Sequence, residues 1–161
     1  MQCNSDKWNR RYLELAKHVS TWSKDPLTQV GCVIVNMNGG IVACGFNGFP
    51  HGEPDSQELY LDIKYKAEHC VHAEENALRI ANIPRYETKA RLYTTFAPCC
   101  RCAQAIVDHF WIKTVISADF NHAKIIEERG IQYWIDLLTS TDKAINILHK
   151  SNIDFRFFPL E

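Results

Sequence analysis

The sequence predicts an α/β fold in which helices cover both faces of a mixed five-stranded sheet. Helix and strand patterns alternate along the chain, and two short β segments are joined by an Asn-Gly turn. A long helical segment also precedes the last β segment, and a crossover of that length makes the last two strands parallel. No linker or repeat divides the 161 residues, so residues 1–161 are expected to form a single domain.

The first element is predicted to be an amphipathic helix that follows the capping candidates Ser5 and Asp6. Its apolar positions fall on one helical stripe, made of Trp8, Tyr12, Leu15, Val19 and Trp22. Pro26 restricts the residue before it and is expected to close the helix. The segments "GCVIV" and "IVACGF" then pair as an antiparallel hairpin across "NMNGG".

A polar segment without clear periodicity runs from Phe49 to Glu68, and it is too long to be a mere connector. Such an insertion is expected to carry function or to be mobile. The remaining order is a helix in "VHAEENALRIAN", a strand in "ARLYTTF", a helix in "PCCRCAQAIVDHF" and a strand in "KTVISA". A helix from Ile131 to Lys150 and a last strand in "IDFRFF" complete the predicted fold.

Charge and composition exclude several classes of partner. The chain has 18 Lys and Arg against 19 Asp and Glu and no basic run, so no nucleic acid partner is expected, although a small anionic ligand is compatible. The first residues lack the apolar core of a signal peptide, and no apolar run suits a bilayer, so no membrane partner is expected. Seven cysteines, an odd number, are typical of metal ligands or buried thiols in the cytoplasm rather than of disulfides.

Two predicted helices begin with potential metal ligands. His72 starts one of them, while Cys99 and Cys102 start the other. Residues three apart share a helix face, so these two cysteines can converge on one ion, whereas Cys100 points about 100° away around the axis. Two thiolates and one imidazole suit tetrahedral Zn²⁺, and three protein ligands leave the fourth position open to water.

Glu74 follows His72 by two residues and is therefore expected close to the metal without binding it. A carboxylate there can take a proton from a water molecule and deliver it to a leaving group. The alternative is a structural zinc site or a set of buried thiols, but a closed site normally supplies four protein ligands. The pair of motifs, His-x-Glu and Pro-Cys-x-x-Cys, is the signature of zinc-dependent nucleobase deaminases.

The stretches "VGCVIV", "GFNGFPHG", "VHAEENAL" and "LYTTFAPCCRC" resemble the deoxycytidylate (dCMP) deaminase family from about Trp8 to Ala118. That resemblance implies a three-layer α/β/α cytidine-deaminase-like fold and zinc-dependent hydrolysis of dCMP to dUMP and ammonia. It implies that zinc is bound at His72, Cys99 and Cys102, that Glu74 transfers the proton, and that Asn47 lies near the sugar. It also implies a homo-oligomer, a hexamer being favoured, with dCTP as activator, dTTP as inhibitor, and Mg²⁺ accompanying the nucleotide effector.

Several alternatives stay open at this point. The substrate can be another cytosine nucleotide, such as dCTP or CMP, or a nucleoside. The non-enzymatic alternative is that the protein is a structural zinc module for assembly. Asn47 can shape a turn instead of contacting substrate, as asparagine between glycines commonly does. His51, His69 and Cys70 could together form a second, structural zinc site, but the ligand pattern does not favour it.

Overall fold

A computed structural model describes residues 5–83, 89–119 and 122–160. Its elements are α1 (Asp6–Ser20), β1 (Gly31–Asn36), β2 (Ile41–Phe46), α2 (Gln57–Leu61), α3 (Ile63–His69), α4 (Ala73–Ile80), β3 (Ala90–Thr94), α5 (Cys100–Asp108), β4 (Ile112–Ala118), α6 (His122–Lys150) and β5 (Asp154–Phe158). The strands form one sheet in the order β2-β1-β3-β4-β5. Strand β1 pairs antiparallel with β2 and β3, while β4 runs parallel to both β3 and β5. The predicted mixed sheet with parallel last strands is confirmed.

Alternating side chains of the strands divide the core into two layers. Cys32 and Ile34 of β1 face a cluster that contains the apolar residues of α4, α5 and α6. Val33 and Val35 face the other side, where they pack with the apolar residues of α1. The sheet is therefore the middle layer of three, and α4 and α5 lie side by side on one of its faces.

The first helix differs in detail from its prediction. It ends at Ser20, so the expectation that Pro26 closes it was wrong. The hydroxyls of Ser20 and Thr21 donate to the carbonyls of the preceding turn, which satisfies groups that a longer helix would use. Trp22 lies beyond the helix and is 49% exposed, so it is outside the buried stripe. The buried face consists of Asn9, Tyr12, Leu13, Ala16, Val19 and Ser20.

The segment from Phe49 to Glu68, in which the sequence shows no clear periodicity, contains the short helix α2 and most of α3. The ring of Tyr60 in α2 stacks on Phe49 with the centroids 4.3 Å apart. In α3, the Tyr65 and His69 rings stack at 4.0 Å. Helices of five and seven residues have too few turns to show an apolar period, which explains why the sequence pattern did not reveal them.

The last helix extends further towards its N-terminus than predicted. It begins at His122, and its regular path is broken at Gly130, where φ is 84° and ψ is 161°. The part that starts at Ile131 agrees with the predicted helix. None of the helices within the described ranges has both the length and the apolar character that crossing a lipid bilayer demands.

Gly45 of β2 allows α4 to approach the sheet closely. A Cβ atom at this position would lie 2.5 Å from both the Ala73 carbonyl oxygen and the Ala77 nitrogen, so the helix would have to move. We expect Gly45→Ala to lower the free energy of unfolding by about 1–3 kcal/mol, because overpacking shifts the backbone. Thermal unfolding followed by circular dichroism measures this effect. Gly48→Ala is the control, since its Cβ would meet the Tyr60 hydroxyl at an ordinary 3.5 Å; equal melting temperatures for the two variants would contradict the prediction.

Candidate active site

Three potential metal ligands converge where α4 and α5 begin. His72 and Cys99 are the N-cap residues of α4 and α5, and Cys102 lies in the first turn of α5. The Nδ1 atom of His72 is 3.5 Å from the Cys99 sulfur and 3.3 Å from the Cys102 sulfur. The three ligand atoms all lie within 4.8 Å of one another. The structure thus brings together the three residues that the sequence predicted as ligands.

The spacing of these atoms fits zinc. Zinc bonds of about 2.3 Å to sulfur and about 2.0 Å to nitrogen place tetrahedral ligands roughly 3.5 Å apart. The observed nitrogen–sulfur distances of 3.3 and 3.5 Å match that value. Within the part of the chain that the structure describes, no second group of this kind occurs, so His51, His69 and Cys70 do not form one.

Glu74 is buried beside the three ligands, with 3% of its surface exposed. Its Oε2 atom lies 3.5 Å from the Cys102 sulfur, and its Oε1 atom lies 3.4 Å from the Thr94 hydroxyl, which also donates to the Phe96 carbonyl at 2.9 Å. Thr94 is the last residue of β3, so the carboxylate lies against the end of the sheet. A carboxylate held in this way can exchange a proton with a small molecule at the ligand cluster.

The electrostatics of the cluster favour a thiolate. Hydrogen bonds from Cys102 and His72 lower the pKa of Cys99 to about 3, against the opposing effect of burial. The pKa of Cys102 is raised, because its thiol donates to Cys99 and because it is buried. The hydrogen bond with Cys99 raises the pKa of His72, and burial raises that of Glu74. Metal binding at such a site displaces the remaining ligand protons, because metals bind thiolates and neutral imidazole.

Glu75 joins the two helices that carry the ligands, and the sequence analysis did not assign it a role. Its carboxylate accepts a hydrogen bond from the His72 backbone nitrogen at 3.3 Å and pairs with Arg101 of α5 at 3.1 Å. The same arginine donates to the Cys70 carbonyl. The position of a glutamate three residues after the N-cap is a capping-box signal, which could have revealed the first contact but not the second.

A cavity of about 850 Å³ opens at the ligand cluster, within the range of small-molecule sites. His72, Glu74 and Cys99 form part of its wall. Further parts come from the segment between α1 and β1, from α3, and from α6. The cluster therefore faces a space that can hold a ligand much larger than water.

Asn47 also lines the cavity, but its amide is engaged with the protein. The Nδ2 group donates to the Thr28 carbonyl at 2.9 Å and to the Asp25 carboxylate at 3.2 Å. The Oδ1 atom accepts from the Val30 nitrogen at 2.8 Å. Both N–H donors are thus in use, and what Asn47 can still offer a ligand is the second lone pair of Oδ1.

We expect Asn47→Ala to destabilise the protein by about 2 kcal/mol or more, because buried partners lose their hydrogen bonds. The melting temperature measures the loss, with Asn146→Ala on the exposed face of α6 as the control. If Asn47→Ala melts at the same temperature as this control, the Asn47 amide does not stabilise the segment from Asp25 to Val30.

Comparison with known proteins decides the family. A family model described as the cytidine and deoxycytidylate deaminase zinc-binding region matches residues 6–118. The chain belongs to this family. The matched region includes all three ligands and Glu74, and it ends at the last residue of β4.

Curated members of the deaminase family include several similar chains. An uncharacterized deaminase from the luxG 3' region of Aliivibrio fischeri is 44% identical over 102 residues, which are 63% of this chain and 66% of that protein. A probable deoxycytidylate deaminase of Caenorhabditis elegans is 41% identical over 106 residues, 63% of this chain and 52% of that protein. The human deoxycytidylate deaminase is 32% identical over 123 residues, 72% of this chain and 67% of that protein. The chain thus matches about half to two thirds of the length of these relatives.

Solved structures show the same fold. The dCMP deaminase of the cyanophage S-TIM5, in apo form, aligns with a TM-score of 0.68 at 20% identity, over 95% of this chain and 98% of that one. The same phage enzyme in complex with dCMP and dUMP aligns with a TM-score of 0.69 at 21% identity, over the same shares. The predicted cytidine-deaminase-like fold is confirmed by these neighbours.

Proposed function

We propose that this protein is a hydrolase that deaminates dCMP to dUMP and ammonia in pyrimidine deoxynucleotide metabolism. The observation that carries the proposal is the placement of Glu74 against the His72, Cys99 and Cys102 cluster at the wall of a ligand-sized cavity. Family membership supports the reaction type. The names of several relatives, deoxycytidylate deaminase, support dCMP as the substrate.

In this proposal His72, Cys99 and Cys102 hold one zinc ion. When bound, zinc supplies Lewis-acid activation that brings the pKa of a water molecule towards neutrality. The helix starts favour the thiolate form of Cys99, because unpaired backbone N–H groups and the helix dipole lie there. Glu75 caps the start of α4 and forms an ion pair with Arg101 of α5. These contacts hold the starts of the two ligand-bearing helices next to each other.

Glu74 moves the proton. The reaction adds water at C4 of the cytosine ring and breaks the bond between C4 and the exocyclic amine, so the products are a C4 carbonyl and ammonia. Glu74 accepts the two protons of the attacking water in turn, and it delivers one to ring N3 and the other to the departing nitrogen. Its raised pKa, caused by burial, brings the carboxyl closer to the pH at which it can do both. One carboxylate oxygen of Glu74 lies beside the Thr94 hydroxyl, and the other lies next to the ligand cluster.

We further propose that Asn47 contacts the sugar through the second lone pair of Oδ1, since its donors are occupied. The same proposal treats residues 1–161 as one deaminase domain that forms a homo-oligomer, with a hexamer favoured by the family resemblance. It retains dCTP and dTTP, with Mg²⁺, as effectors. It places the reaction in the cytoplasm, because Cys99 and Cys102 bind zinc only as reduced thiols.

Loss of ultraviolet absorbance on deamination tests the proposal directly. The purified zinc-loaded protein is assayed in parallel with dCMP, CMP, dCTP and deoxycytidine, with and without dTTP or dCTP and Mg²⁺. Selective turnover of dCMP supports the proposed function, and a rate raised by dCTP supports the proposed regulation. Turnover of another cytosine compound in place of dCMP refutes the substrate but keeps the chemistry. Bound zinc without ammonia release from any of them favours a zinc module for assembly.

A further inference from the structure

Arg129 of α6 lines the same cavity as Glu74, although it lies outside the region that the family model matches. It is half-buried and directly precedes the break in α6 at Gly130. No motif of the sequence draws attention to it. The structure nevertheless brings it into contact with Thr28, 101 positions earlier in the chain.

The charge of Arg129 has no carboxylate partner among the described residues. Lys66, the other long cationic side chain in the wall of the cavity, is paired with the carboxylate of Asp25. That carboxylate is fully buried and also accepts hydrogen bonds from the backbone nitrogens of Leu27 and Thr28. Lys66 is therefore neutralised in place, whereas Arg129 presents a net positive charge to the cavity.

The guanidinium of Arg129 is held in position by groups that carry no negative charge. Its Nη2 group donates to the Leu27 carbonyl and to the Thr28 hydroxyl, and its Nη1 group donates to the Tyr133 hydroxyl at 3.1 Å. The Tyr133 ring also lies 5.0 Å from the guanidinium carbon. Counted over the described residues, these contacts use three of the five N–H donors, so the Nε–H and one Nη1–H remain for a ligand. The Thr28 oxygen accepts from Arg129, and its own O–H is left to donate.

We infer that Arg129 and the Thr28 hydroxyl bind the 5′-phosphate of the nucleotide substrate, an inference that rests on the proposed function. A phosphate monoester is an anion with several acceptor oxygens, and a preoriented guanidinium is its best side-chain partner. In the proposed reaction the cytosine ring lies at the ligand cluster and Glu74, so the phosphate binds to another part of the cavity wall. The base therefore lies at Glu74 and the phosphate at the wall formed by α6 and the segment Leu27–Thr28.

The test compares Arg129→Gln with the wild type on dCMP and on deoxycytidine, which lacks the phosphate. We expect kcat/KM for dCMP to fall by about ten- to a hundredfold, as for the loss of a charged hydrogen bond, and kcat/KM for deoxycytidine to stay within about twofold. Arg129→Lys keeps the charge and should retain part of the preference for dCMP. Arg79→Gln, on the exposed end of α4, is the matched control and should behave as the wild type.

A binding measurement keeps the test independent of turnover. Calorimetric titration of the zinc-loaded proteins with dUMP and with deoxyuridine should show a similar ten- to hundredfold loss for dUMP in Arg129→Gln and no change for deoxyuridine. Equal losses of affinity for dUMP and deoxyuridine would mean that Arg129 only stabilises the cavity wall, and this result would overturn the inference. If the wild type neither binds nor deaminates any cytosine nucleotide, the proposed function itself fails, and the inference fails with it.

Discussion

Replacing Glu74 with glutamine should leave the zinc content at the wild-type value and reduce kcat for dCMP by about 10²- to 10⁴-fold, the range typical of a lost general acid–base group. Glutamine has nearly the same shape, so it fits the buried space next to Thr94 and can keep that contact. It cannot accept and return a proton at neutral pH. Steady-state kinetics together with elemental analysis for zinc separate these two effects.

A matched control for this change is Glu14→Gln on the exposed face of α1, which removes the same charge far from the cavity. It should retain wild-type activity and melting temperature. A fully active Glu74→Gln variant would refute the assigned proton transfer. A variant that loses zinc as well as activity would instead show that Glu74 supports the metal.

Cys102→Ser should abolish stoichiometric zinc binding, and deaminase activity should be lost with it. The Cys102 sulfur is fully buried and lies 3.3 Å from the His72 nitrogen, so a serine hydroxyl would replace a thiolate ligand inside the cluster. Changes in the outer shell of zinc sites already cost about 10- to 100-fold in metal affinity, and loss of a direct ligand should cost more. Zinc titration against a chromophoric chelator measures the affinity.

Cys100→Ser provides the control within the same short stretch of cysteines. The sulfur of Cys100 donates to the Ser140 carbonyl and is outside the ligand cluster, so zinc should stay bound. Melting temperatures give a second readout, because a ligand that binds the folded state raises stability. Excess EDTA should lower the melting temperature of the wild type and of Cys100→Ser but leave that of Cys102→Ser unchanged. Retention of one zinc per chain in Cys102→Ser would contradict its role.

The sequence pattern was most reliable where the relevant geometry is local. Strands β1 and β2 form the predicted antiparallel hairpin, because the side chain of Asn36 accepts hydrogen bonds from Asn38 and Gly40 and closes the turn between neighbouring residues. The pattern was less reliable for α1, whose end depends on hydroxyl contacts within its last turn. It missed α2 and α3, which are too short to show a period and are packed through aromatic contacts within their own segment.

The role predicted for Asn47, a contact with the sugar, stays a prediction. The motif predicted a group in the site, and the structure places it in the wall of the cavity. The same side chain also links Asp25, Thr28 and Val30, which are 17 to 22 positions away. Those partners belong to a different segment, so no pattern around Asn47 could have identified them.

The sequence by itself determined which residues could be selected for the candidate site. His72, Glu74, Cys99 and Cys102 could be chosen because their spacing within two helix starts is set by helix geometry, which acts over a few residues. Only the tertiary structure decided what surrounds them. The order of the strands and the crossover through α6 bring Arg129 to Thr28 and Glu75 to Arg101, and such contacts depend on how distant segments pack rather than on any local period.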